Sequence, residues 1–142
     1  MKMWNFLFFT RLLLISQLSL IAHVQAAELV VTVKKAPAEC APLMVAVFNS
    51  EASFMRQGFR YGEDEVARGA RVVFKNIPYG RYAVSAYCDN NRNGKLDRGV
   101  YSKPIEPVGI SRNPMMRTKP PQFDDASFVI DVDEYHIRLN LQ

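Results

Sequence analysis

Apolar and polar side chains alternate from Leu29 to Lys34, with Leu29, Val31 and Val33 on one face, the period-two signature of a half-buried strand. Leu43 to Phe48 is a continuous apolar run between Ala41-Pro42 and Asn49-Ser50, too short for a typical helix and suited to a central strand. Arg71 to Phe74 supplies a third strand, and Pro78-Tyr79-Gly80 a turn. Tyr82, Val84, Ala86 and Cys88 share one face of a fourth strand, with Ala83, Ser85 and Tyr87 on the other. Phe128 to Val132 and Tyr135 to Leu141 flank Asp133-Glu134 and predict a closing hairpin. Val100 to Ile105 is a further candidate for pairing, which brings the count to about seven strands.

Helical periodicity is scarce. Ala52 to Phe59 offers a turn or two, but Gly58, Gly62 and Gly69 break the stretch and predict a long connection up to Arg71. Five prolines between Pro104 and Pro121 exclude a helix or an inner strand over 104–123, while Ile105, Val108, Ile110, Met115, Met116 and Phe123 predict an ordered loop wrapped over one end. Short strands, frequent turn residues and little helix point to an all-β fold, an antiparallel β-sandwich.

The first 26 residues have the form of an export signal. Lys2 and Arg11 supply positive charge, Leu12 to Ala22 an apolar run, and Val24-Gln25-Ala26 small residues for cleavage. The run falls short of the roughly 20 residues that span a bilayer, although Trp4 to Phe9 lengthen it and keep an uncleaved anchor as the alternative. Cleavage leaves residues 27–142 as one domain in the periplasm or secreted medium, with no membrane span. Lys2 and Arg11 account for half of the net charge of +4, so the remainder has no electrostatic footprint for nucleic acid. Apolar residues at 49% and charged residues at 23% mark a globular chain.

Both cysteines, Cys40 and Cys88, lie beyond the leader, and an even count in an oxidising compartment predicts a bridge, with two buried thiols as the alternative. On the chain-entropy model such a bridge stabilises the fold by roughly 4 kcal/mol.

Directly after the fourth strand comes Asp89-Asn90-Asn91-Arg92-Asn93-Gly94-Lys95-Leu96-Asp97. Oxygen-bearing side chains at relative positions 1, 3, 5 and 9 with glycine at 6 reproduce most of an EF-hand-type calcium loop. In that reading Asp89, Asn91, Asn93 and Asp97 give side-chain oxygens, Lys95 gives its carbonyl, and Glu106 replaces the glutamate missing at position 12, where Val100 stands. Arg92, Lys95 and Arg98 offset Asp89 and Asp97, which assigns calcium to the weak class of roughly 10⁻⁴ to 10⁻³ M. The same residues also suit a metal-free loop, because Asp and Asn side chains make turns to their own backbone and Gly94 ends them.

The chain resembles an uncharacterised family of exported bacterial proteins, the domain of unknown function 2141. The resemblance rests on Gly80-Arg81-Tyr82-Ala83-Val84, then Asp89 to Asp97, then Pro104, Glu106, Pro107, Gly109, Ser111 and Asn113, then Pro121, Phe123, Asp125 and Ala126. Cys88 stands where that family often has histidine, and Ala41-Pro42 where it often has glycine; two unusual cysteines arriving together support the bridge. The resemblance implies a prealbumin-like sandwich and no assigned activity.

No catalytic residue is expected. His136 is the sole histidine after the leader and lies in a predicted strand, where a structural role is the usual one. A zinc site lacks ligands, and no phosphate-binding glycine loop occurs. The leading expectation is a non-catalytic module that presents this end, including Ser111, Asn113 and Asp125, to a protein or glycan, with Tyr79, Tyr87, Tyr101, Met115 and Met116 as apolar contacts. The rival is a small-molecule carrier or hydrolase using a crevice under the 104–123 loop, anchored by Asp89, Glu106 and Ser111.

Overall fold

The computed structural model describes residues 25–40, 42–64, 70–114 and 119–142. Among them run eight strands: β1 (Ala26–Lys34), β2 (Leu43–Phe48), β3 (Arg60–Asp64), β4 (Arg71–Pro78), β5 (Gly80–Cys88), β6 (Val108–Ile110), β7 (Phe128–Ile130) and β8 (Glu134–Asn140). One short helix, α1 (Phe123–Ala126), precedes β7. The export signal expected over residues 1–26 lies outside the described residues up to position 24; Ala26 already pairs with Pro78.

Two sheets form the sandwich. One has the order β4-β1-β8; the other has the order β3-β2-β5-β6, with β7 joined to β5. The alternation in β1 puts Leu29, Val31 and Val33 into the core at 0% exposure, where they meet Leu43, Val45 and Val47 of β2 and Tyr82, Val84, Ala86 and Cys88 of β5 in one apolar cluster. Each such aliphatic side chain contributes about 1.5–3 kcal/mol on burial. A second, smaller cluster covers the outer face of the larger sheet: Phe54 and Phe123 pack over Phe48, Ala83 and Ile110, with ring centroids 5.3 Å (Phe48–Phe54) and 5.8 Å (Phe54–Phe123) apart.

The sandwich departs from the expected topology in four places. The closing hairpin is absent: β7 pairs antiparallel with β5 in one sheet, and β8 crosses to the other and pairs parallel with β1. Alternation fixes which side chains face inward but not which neighbour a strand takes. The linker is pinned at the crossing by Glu28 N donating to Asp133 O (2.8 Å) and the Tyr79 hydroxyl donating to Asp133 Oδ1 (2.6 Å). Residues 60–64, expected in a connection, form β3; a Cβ at Gly62 would lie 2.6 Å from Val72 Cγ1, so this glycine marks a close approach to β4 and not a break.

The described part of the proline-rich stretch is mostly irregular, yet Val108–Ile110 pairs with β5. Gly109 makes this possible, because a Cβ there would sit 2.6 Å from Asn140 O at the end of β8. Val100–Ser102 is a 3-10 turn, and Arg98 and Pro104 form an isolated bridge, so Val100 to Ile105 is no strand. Proline and positive backbone angles near the turn leave no ladder to extend.

Candidate functional site

The end of β5 is held from three sides. Cys88 is bonded to Cys40, with the Cα atoms 5.1 Å apart. Cys88 N donates to Pro107 O (3.1 Å), and Asp89 N donates to Pro42 O (3.0 Å). The disulfide read from the cysteine count therefore fixes the root of the loop.

Asp89 is 2% exposed, and both its oxygens are taken: Oδ1 accepts from Asn93 N (3.0 Å) and Oδ2 from Gly94 N (2.7 Å). Gly94 has φ +74°, the left-handed turn that the motif's glycine predicts. Glu106, 7% exposed, bridges the two ends of the loop, with Oε1 accepting from Asn90 N (3.0 Å) and Oε2 from Asp97 N (3.0 Å). Hydrogen bonds from backbone N–H to a carboxylate are among the strong ones, so each acid organises the loop that surrounds it.

The two asparagines complete the closure. Asn91 Oδ1 accepts from Asn93 N (3.1 Å) and Asn93 Oδ1 from Lys95 N (2.9 Å), both side-chain turns. Their amide nitrogens converge on Asp97, Asn91 Nδ2 donating to Oδ2 (2.6 Å) and Asn93 Nδ2 to Oδ1 (3.0 Å). The Tyr87 phenol lies close by and is held above the usual tyrosine range, first by burial and then by the carboxylates of Asp89, Glu106 and Asp97.

The structure thus gathers the predicted ligands Asp89, Asn91, Asn93, Asp97 and Glu106 into one loop, with Lys95 in its wall. A calcium ion takes 6–8 oxygens; as arranged, the Asn91 and Asn93 amides donate to Asp97, and each carboxylate oxygen of Asp89 and Glu106 accepts one backbone N–H and keeps a further lone pair. Among the described residues no buried side-chain nitrogen or oxygen lacks a partner, and no three His, Cys, Asp or Glu side chains gather around one point.

The residues expected on a partner-facing surface fare differently. Ser111 is at 0% exposure, its hydroxyl accepting from Val84 N (2.9 Å) and donating to Ala126 O, so its placement on a surface is corrected: it is an internal brace between β5 and α1. Asn113 is exposed and its Oδ1 accepts from Asn140 N (2.8 Å); Asp125 is exposed and its Oδ2 accepts from Gln122 N (2.9 Å) in a capping box. Met115 and Met116 lie outside the described residues. His136 is exposed and pairs with Glu134 (2.7 Å).

Sequence reasoning named Tyr101 as an apolar contact but read Val100 to Ile105 as a candidate strand, and so missed the turn beyond Asp97. Gly99 N donates to Lys103 O (2.8 Å) and Ile105 N to Asp97 O (2.9 Å), closing a projecting tip. Val100, Tyr101 and Ile105 on it are 76%, 91% and 69% exposed, and Tyr101 and Ser102 both have positive φ (59° and 58°). The available signal was two apolar residues between glycine and lysine in a segment with no strand partner.

Fold and site together define a small β-sandwich with a hairpin loop closed by its own acids. The chain belongs to an uncharacterised protein family conserved in bacteria, DUF2141, whose sequence pattern matches residues 31–138. Comparison with curated proteins and with solved structures gave no match.

Proposed function

We propose that this chain is a non-catalytic binding module of the bacterial periplasm or exterior, whose working end is the 89–106 hairpin held rigid by its own hydrogen bonds. One observation carries the reading: the four carboxylate oxygens of buried Asp89 and Glu106 are all committed to N–H groups of the loop they support. Acids used this way are spent on shape, which favours binding by a preorganised surface. The Cys40–Cys88 bond and the apolar N-terminal segment support export.

The carrier or hydrolase reading loses its anchors. Ser111 is buried with its hydroxyl engaged on both sides, and Asp89 and Glu106 are internal to the loop. An open depression lined by Asn49, Ser50, Ser53, Arg56 and Phe59 lies past Phe48, which pairs with Ala83 near the start of β5, at the far end of the sheet from the loop.

Thermal melting in chelator and in millimolar calcium tests the proposal. The expected result is the same midpoint in both, because the loop is closed without an ion. A calcium site of the weak class would instead add about 0.4–1.4 kcal/mol at about 1 mM calcium and raise the midpoint.

A further inference from the structure

We propose that the Gly99–Ile105 tip is a membrane-surface anchor that inserts Val100, Tyr101 and Ile105 into the interface of an anionic bilayer. The proposal rests on the hairpin being the working end, and names its partner. Three large apolar side chains stand exposed on one short projecting turn, and a convex tip of this kind has no apolar environment within its own fold. Four cations, Arg92, Lys95, Arg98 and Lys103, lie on the loop and tip, all exposed, and among the described residues none of them forms an ion pair. Asp89, Asp97 and Glu106 set three negative charges against these four, leaving one net positive charge over 89–106, and Arg98 and Lys103 are the pair that brackets Val100 and Tyr101.

Apolar side chains within a cationic collar match a lipid surface, where aliphatic groups enter the acyl boundary, tyrosine occupies the headgroup level and lysine and arginine meet anionic headgroups. An acidic polysaccharide would answer the charge but leave Val100 and Ile105 in water. The tip is also held against local preference, since Tyr101 and Ser102 keep left-handed φ values.

The test uses the full chain with Trp4→Phe and Tyr101→Trp, so that a single indole reports on the tip whatever the N-terminal segment does. On phosphatidylcholine vesicles containing phosphatidylglycerol, the emission shifts to the blue and is quenched by bromine-labelled acyl chains; on phosphatidylcholine alone the shift is weak. Adding Val100→Ser and Ile105→Ser lowers the apparent partition coefficient about 100-fold, and Arg98→Gln with Lys103→Gln lowers it about 25-fold, by roughly 1 kcal/mol per cation. An indole that stays water-exposed while the protein sediments with the vesicles overturns the proposal. So does binding to a soluble acidic polysaccharide with no spectral change on vesicles. In both cases, loop amides that remain protected from hydrogen exchange leave the rigid-hairpin reading standing; unprotected amides overturn that reading and the proposal with it.

Discussion

Residues 89–97 and residues 98–105 are successive parts of the one connection from β5 to β6, yet they treat side-chain chemistry in opposite ways. The first half draws its acids inward, leaving Asp89 2% exposed and capped by two N–H groups. The second pushes Val100 and Tyr101 outward to 76% and 91% exposure on a backbone with positive φ at Tyr101. Hydrogen-bond satisfaction governs the first half. In the second, local preference is overridden with no burial gained, the arrangement expected where a surface serves something outside the fold. The difference teaches that the acids are scaffold and the tip is the exposed face they hold in position.

Removing the brace strains this contrast most. Glu106→Ala strips two charge-assisted bonds from Asn90 N and Asp97 N and lowers unfolding free energy by about 3 kcal/mol in urea titrations. A loss below about 1 kcal/mol would mean that the loop closes without its buried acid. At the tip the sign reverses. Tyr101→Gly frees a side chain from left-handed backbone and stabilises the protein by about 0.5–1 kcal/mol, since the ring is solvent-exposed and loses no packing. Destabilisation by this change would show that the ring supports the fold.

The smallest effect is alkaline. The folded state raises the Tyr87 pKa above 10, so the native protein holds that proton more tightly than the unfolded chain does. Its contribution is fully present below about pH 10 and is lost as pH rises from there through the folded value. Tyr79 and Tyr82 are raised in the same direction, Tyr79 first by its hydrogen bond to Asp133 and Tyr82 first by burial. Urea titrations across this range should therefore show stability falling with pH, with Tyr87→Phe reducing the fall and leaving neutral pH unaffected.

Much of the fold was legible because burial has a period. Leu29, Val31 and Val33 and the series from Tyr82 to Cys88 could be assigned to the core from alternation alone, and the even count of cysteines pointed to the bridge. Strand partners were not legible: β8 carries the alternation of a hairpin arm but takes β1 as a parallel neighbour, a choice made by packing between distant segments. Gly62 misled for a related reason, since a glycine required by the close approach of β4 looks in sequence like one that breaks a strand. In the loop, spacing located the convergent side chains but not what they converge on. That depends on which way the Asn91 and Asn93 amides turn, and here their oxygens accept from Asn93 N and Lys95 N.

The most direct measurement is amide hydrogen exchange in chelator at Asn90, Asn93, Gly94 and Asp97, the donors to Glu106 and Asp89. A loop closed by its own acids predicts slow exchange there without any ion, unchanged by calcium, beside fast exchange at Tyr101. Rapid exchange at all four that slows only when calcium is added would contradict it.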